Sequence, residues 1–386
     1  VSWGQTNWTS HLDGEREELD KLIEKTYHHI NDNLPFDITV MVTIPTEWKQ
    51  YRSAPINIGV CAGIESNLVS PSWLEESNLY VDKIIVPSEF AKENFINTVW
   101  DARTAEGENF KLFLNKPIEA INYPVLEEFV SPTDCAHEKL NLEHDFNFLC
   151  VAQWGPRKNV ENTLRYFLEE FKDEEVGLVL KLSIKGNSTI DFYETRQRIN
   201  SILSEYSDRI CSVHLVHGAM SRKEIASLYI HPKIKAMINF GHGEGYGLPL
   251  FEAAAVGLPV ITHDWGGQKD FLYAPKKDRK GNKKMRPHFS KVSFDLKPIQ
   301  QEAVWPGVLE KDSQWAFVHG AGCQIAMRNC YDNYGLSLGQ AKRLKTWVLE
   351  NFTEEKIYKQ LVDAIGSENH FELEDWLNEL EEVTEG

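Results

Sequence analysis

The sequence predicts an α/β protein of two doubly wound parallel sheets facing across a cleft. Three observations carry this. A chain of 386 residues has the length for two cores. Short apolar runs alternate with segments of helical spacing in both halves, the order that parallel strands need because each pair requires a crossover. Tyr123-Pro124 and the polar stretch Ser131 to Glu143 interrupt that alternation. The expected division is therefore residues 1–140, residues 141–365 and a helical tail, 366–386.

In chain order, Glu15 to Ile30 carries apolar residues at helical spacing through Leu19, Leu22, Ile23, Tyr27 and Ile30. Strands are expected at Ile38 to Val42, Ile56 to Val60, Lys83 to Val86 and Ile118 to Ile121, with Ser88 capping a helix that runs to Asn97. This half is short and the chain opens at Val1 rather than Met, so a strand upstream of Val1 is an expectation. The second half repeats the scheme, with strands near 146–152, 176–184, 210–216, 234–240 and 258–262. Val160 to Phe171 has a helical apolar face, and Ser221-Arg-Lys-Glu224 is a capping box. Lys276 to Arg286 sets seven cations against one Asp and reads as a solvated basic loop. Gln314 to Tyr331 reads as a helix. The acidic tail Glu372 to Glu382 places Leu373, Trp376, Leu377 and Leu380 on one helical face.

Composition narrows the function. With 42% apolar and 26% charged residues the chain has an ordinary globular balance, and a net charge of -17 argues against a general nucleic-acid binder. The sequence has no run of eighteen apolar residues and no charged-then-apolar leader, so a cytoplasmic protein is expected, with membrane contact not favoured. The six cysteines lack Cys-x-x-Cys spacing and read as reduced, mostly buried thiols.

The most informative segment is Phe240-Gly-His-Gly-Glu-Gly-Tyr-Gly-Leu-Pro-Leu-Phe-Glu252. A buried strand leads into it, Pro249 suits a first helical turn, and Gly257 suits a left-handed C-terminal cap before Leu258-Pro-Val-Ile-Thr262 resumes as a strand. Glycines at such a strand-to-helix junction leave the amides of Gly245, Tyr246, Gly247 and Leu248 free to meet an anion at the positive end of the helix dipole. Glu244 precedes the helix and can face a ligand lying across the amides, whereas Glu252 falls about one turn in, within reach of a ribose diol. A solvated loop carboxylate and a dipole complement are the plain alternatives for this pair. A second segment, Gln153-Trp-Gly-Pro-Arg-Lys-Asn159, puts Arg157 and Lys158 at another helix start. Cations are disfavoured there unless an anion joins them. Lys185-Gly186, after a third strand, offers a further donor contact.

The pattern Glu-Gly-x-Gly-Leu-Pro-x-x-Glu-Ala, followed by Gly-x-Pro-Val-Ile and Trp265-Gly-Gly267, resembles the signature of retaining glycosyltransferases of the GT-B fold, specifically glycosyltransferase family 4. The resemblance covers about residues 145 to 365. It implies two Rossmann-like domains, with the acceptor on the N-terminal side and the nucleotide-sugar donor on the C-terminal side, and a tail packed back on the first domain. It also implies transfer of a hexose from a GDP- or UDP-sugar to a hydroxyl of a glycan or other acceptor, with retention. Carried over residue by residue, Glu244 contacts the transferred sugar, Arg157 and Lys158 hold the diphosphate, Glu252 grips the ribose, and Gly243, Gly245 to Leu248, Gly266 and Gly267 line the donor. The basic pair can replace a divalent ion, so no metal or other cofactor is expected. A nucleotide-sugar epimerase or hydrolase of the same fold, and a non-catalytic nucleotide-sugar-binding protein, stay as alternatives.

In the first half the best polar candidate is Glu65, in Ala62-Gly-Ile-Glu-Ser66 beyond a strand end, with a helix cap or a solvated carboxylate as its alternatives. His11, His242 and His263 fall near expected loops and read as structural.

Overall fold

The computed structural model describes residues 15–133, 140–277 and 281–366. The first half contains strands β1 (Ile38–Val42), β2 (Ile56–Val60), β3 (Lys83–Val86), β4 (Trp100–Arg103), β5 (Asn109–Leu112) and β6 (Ile118–Ala120). Strands β1, β2, β3 and β6 form a parallel sheet in that spatial order, and β4 with β5 forms a separate antiparallel hairpin. Ser88 caps the helix Glu89–Asn97 by accepting from the Ala91 amide, as its position before an apolar-periodic run predicts.

The second half supplies β7 (Asn147–Gln153), β8 (Gly177–Ser183), β9 (Ser212–Val216), β10 (Ile234–Asn239), β11 (Val260–His263), β12 (Tyr273–Lys277), β13 (Lys283–Pro287), β14 (Ser290–Val292), β15 (Phe294–Pro298) and β16 (Gln314–Val318). Six of them make a parallel sheet in the order β14-β11-β10-β7-β8-β9. Chain order reverses between β7 and β10. Helices cover both faces, so these strands are nearly continuous apolar runs rather than alternating ones. Successive residues still point to opposite sides. Phe148, Leu178 and Ile238 join a core with the helix Val160–Phe171, while Leu149, Val179 and Met237 join another with the helix Leu248–Val256.

That second core does not stop at the boundary. It continues through Phe129 and Val125 to Ile58 and Ile85 of the first sheet, and takes in Ile357 and Ala364 of the helix Glu354–Gly366. Lys83 Nζ donates to the Ala364 carbonyl at 2.8 Å, and the Val125 amide donates to the Phe352 carbonyl at 2.7 Å. One apolar body therefore holds the halves together, and the helix Glu354–Gly366 makes the return crossing. The expected tail helix 372–382 and His11 lie outside the described residues.

Two expectations are corrected. Gln314 to Tyr331 is not one helix: Gln314–Val318 is strand β16, antiparallel to β15, and the helix begins only at Gly320. Trp315, Ala316 and Val318 bury themselves against the sheet, a tertiary demand that outweighs their compatibility with a helix. Lys276 to Arg286 is not a structureless loop either. Its ends are the paired strands β12 and β13, in register from Tyr273↔Pro287 to Lys277↔Lys283. An exposed two-stranded ladder satisfies the backbone while leaving the cations in water.

Candidate active site

The reversal between β7 and β10 opens a crevice at the carboxyl ends of those strands, the usual ligand position in a doubly wound sheet. Both segments singled out in the sequence emerge there. After β7 the chain makes a 3-10 turn, Pro156–Lys158, and passes through Asn159 in the left-handed region (φ 50°) into the helix Val160–Phe171. After β10 it makes the glycine turn, with Gly247 at φ 93° as the helix N-cap. A side chain would be strained at that angle. The two turns are stitched together: the His242 amide donates to the Arg157 carbonyl at 2.7 Å, and Asn159 Nδ2 donates to the Phe240 carbonyl at 2.9 Å.

Glu244 is the centre of this crevice. Only 6% exposed, it accepts from Lys158 Nζ at 2.5 Å, Asn239 Nδ2 at 2.9 Å and Arg157 Nη1 at 3.2 Å. Burial is the largest influence on its carboxyl and pushes the pKa upward, but Lys158, Arg157 and the hydrogen bonds together hold it at about 2. Glu244 is thus an ionised carboxylate inside the protein. Asn239 was missed by sequence reasoning; its only signal was a polar residue closing the apolar run Ile234 to Phe240.

Arg157 links the halves. Its Nη1 donates to the Gly243 carbonyl at 2.7 Å, and its Nη2 lies 3.0 Å from Glu65 Oε1 of the first half. The alternatives of cap or free solvated carboxylate for Glu65 give way to an ion pair across the cleft. Gly243 explains the approach, because a Cβ there would lie 2.1 Å from the Glu65 carbonyl oxygen. Gly245 similarly faces the Ala62 carbonyl, 2.9 Å from where its Cβ would be. These two glycines therefore make room for backbone from the first half, beside the ligand approach expected of them. Ser88 Oγ also donates across the cleft, to the Gly245 carbonyl at 2.5 Å.

The loop Trp265-Gly-Gly267 lies directly on the turn, with the Gly267 amide donating to the Glu244 carbonyl at 2.9 Å. Trp265 meets Phe90 of the first half edge-on at 4.8 Å. The amides of Gly245, Tyr246, Gly247 and Leu248 have no protein acceptor among the described residues. That leaves a row of donors at a helix start.

Glu252 occupies different surroundings. It accepts from Tyr229 Oη at 2.8 Å and borders a mostly apolar cavity of about 310 Å³ lined by Tyr123, Pro124, Leu248, Phe251 and Tyr358. Burial lifts its carboxyl to about 7, against a smaller opposing effect of the Tyr229 hydrogen bond. Lys185 is exposed and makes no hydrogen bond or ion pair with this cluster among the described residues; its amide donates to Asp191 Oδ2 at 2.6 Å. His242 and His263 are both buried and partnered: His242 stacks on Trp315 at 5.2 Å, and His263 Nε2 donates to the Gly241 carbonyl at 2.8 Å. Among the described residues no group of three or more His, Cys, Asp or Glu side chains is placed to hold a metal ion.

Residues 134–277 match the profile of the family described as glycosyl transferases group 1. None of the curated proteins compared with the chain matches it. Among solved structures, sucrose-phosphate synthase from Thermosynechococcus elongatus is similar with a TM-score of 0.60 at 16% identity, over 90% of this chain and 79% of that one. A glycosyltransferase from Rickettsia africae has a TM-score of 0.60 at 12% identity, over 96% and 85% of the two chains. Anabaena HepE, solved in complex with UDP and glucose, has a TM-score of 0.55 at 12% identity, over 92% and 84%. The fold is that of the GT-B glycosyltransferases, and the transferase class implied by the motifs holds.

Proposed function

We propose that this chain moves a hexose from a nucleoside diphosphate sugar, GDP- or UDP-linked, to a hydroxyl of a glycan or other acceptor, with retention at the anomeric carbon and without a metal ion. One observation carries the reading: Glu244, Arg157 and Lys158 converge at the switch point of the second sheet, beside unpartnered helix-start amides. The presence of UDP and glucose in the HepE complex supports a donor of this class.

The chemical task is to stabilise a departing diphosphate while positive charge grows on the sugar. Arg157, Lys158 and the amides of Gly245 to Leu248 serve the leaving group. Glu244 orients sugar hydroxyls and opposes the developing positive charge. Gly266 and Gly267 keep the neighbouring loop close enough to close the sugar pocket, and Glu252 accepts from ribose hydroxyls at the cavity wall. Lys185 adds an outer contact to the donor. Glu65 faces the same centre from the acceptor side. Before donor binds, the two cations are balanced by Glu244 and Glu65, so the incoming diphosphate must share or displace those partners. Retention rests on the family resemblance, and metal independence on the cationic pair standing where an ion would neutralise the pyrophosphate.

The test is incubation with GDP- and UDP-hexoses and a panel of hydroxyl acceptors, with and without chelator, followed by mass spectrometry. The proposal expects a hexose mass added to an acceptor whether or not chelator is present. Free sugar or an epimer as the sole product defeats the transfer, and loss of activity in chelator defeats metal independence.

A further inference from the structure

The hairpin of β12 and β13 encloses, with the helix Tyr334–Asn351, a cavity of about 460 Å³ that the donor site does not use. Lys276, Lys284, Arg286 and Arg343 line it, together with His288 and Gln340, and among the described residues no carboxylate does. None of the four cations has an ion-pair partner among the described residues. His288 is 4% exposed, and its Nδ1 donates to the Arg286 carbonyl at 2.8 Å, which leaves Nε2 as an unprotonated nitrogen when the ring is neutral. Gln340 Nε2 donates to the Pro287 carbonyl at 3.1 Å and so ties the helix to the hairpin.

Four like charges around one cavity repel one another, and a chain of net charge -17 has acidic groups to spare for them. All four side chains are exposed and hydrated, so they persist without a partner while keeping a local positive potential that an anion would meet. Two guanidiniums among the four favour a planar or tetrahedral oxyanion that accepts paired hydrogen bonds. The cavity is also larger than a single oxyanion, so it has room for whatever the oxyanion is attached to. We infer that this cavity is a second ligand site, one that binds a phosphate-bearing molecule through Lys276, Lys284, Arg286 and Arg343. The long-range field of an acidic protein is screened within about 8 Å at physiological salt, so the local cations govern binding there. This inference does not depend on the proposed sugar transfer.

The probe is inorganic pyrophosphate, titrated calorimetrically into the full chain at low salt. Two sites are expected, the cradle around Arg157 and this cavity. Lys284→Glu with Arg286→Glu, and separately Arg343→Glu, should each weaken the second site by about tenfold or more while leaving the first in place. Arg157→Ala should do the reverse, and Lys342→Glu on the neighbouring exposed position should change neither. All four substituted side chains in the first set and its control are exposed, and circular dichroism verifies their folding. A parallel arm uses vesicles with and without an anionic phospholipid. Vesicle binding lost in the same variants supports the phosphate site with a lipid headgroup as its source, whereas pyrophosphate binding lost in them supports a free ligand. Unchanged pyrophosphate and vesicle binding in both charge-reversal variants overturns the site.

Discussion

The two carboxylates that bracket the glycine turn are both buried, yet their surroundings drive them in opposite directions. Glu244 has two cations and an amide around it and is held at about 2, while Glu252 has one phenol and an apolar wall and is lifted to about 7. Burial raises the pKa in both cases. What differs is the supply of partners, which makes one carboxylate a fixed negative charge and the other a group that titrates near neutrality. The first suits a centre where positive charge develops, and the second suits reversible acceptance of hydroxyl hydrogens.

Several substitutions break or sharpen this contrast. The largest effect is expected at the ionised end: Glu244→Gln or Arg157→Ala should lower kcat by about 100-fold or more, by the scale of lost transition-state partners. Steady-state transfer assays check this, and near-normal turnover in either variant would remove the ion cluster from the chemistry. Stability follows the same carboxylate. Because the folded pKa of Glu244 lies below its ordinary value, its contribution is present above about pH 4.5 and is lost as pH falls toward 2. Lys158→Met leaves that carboxylate short of a partner and should destabilise the fold by up to about 3 kcal/mol, read from urea midpoints at pH 7.

The other end should behave inversely. Glu252 has a raised folded pKa, so its contribution to folding is full below about pH 4.5 and fades as pH rises through about 7. On the proposed role of Glu252, donor binding should run the opposite way, since the ionised form is the better acceptor for ribose hydroxyls. Nucleoside diphosphate affinity should rise about tenfold between pH 6 and pH 8, and Glu252→Gln should flatten that rise. A flat profile in the unmodified protein would contradict the assignment. Smaller effects are expected where the halves meet. Gly243→Ala forces a Cβ to within 2.1 Å of the Glu65 carbonyl and should cost about 1–3 kcal/mol of stability, seen as a lower Tm, by pushing the cleft open. Glu65→Gln removes a pair in which both side chains keep roughly a third of their exposure, and should change stability by at most about 1 kcal/mol.

The sequence told most where structure is local. The helix Val160–Phe171, the capping box at Ser221 and the strand-turn-helix around Gly247 each occupy one continuous stretch whose spacing exposes its form. Buried parallel strands were legible for the same reason, being unbroken apolar runs. What stayed hidden depends on chain segments far apart. Nothing near Glu65 announces that it will meet Arg157, because the meeting needs both sheets and a glycine that admits the approaching backbone. The strand Gln314–Val318 was read as helix because Trp315, Ala316 and Val318 suit either form until β15 is beside them. The hairpin of β12 and β13 lacks the alternating apolar pattern of a strand, and its cavity exists only once the helix Tyr334–Asn351 closes over it.

The central claim is that Arg157 and Lys158, with the glycine-turn amides, hold the pyrophosphate of a nucleotide sugar. Calorimetric titration of GDP and UDP into the unmodified chain, Arg157→Ala and Lys158→Ala tests it most directly. The account predicts that at least one nucleotide binds and that each substitution weakens it by about tenfold or more; equal affinity in all three proteins contradicts it.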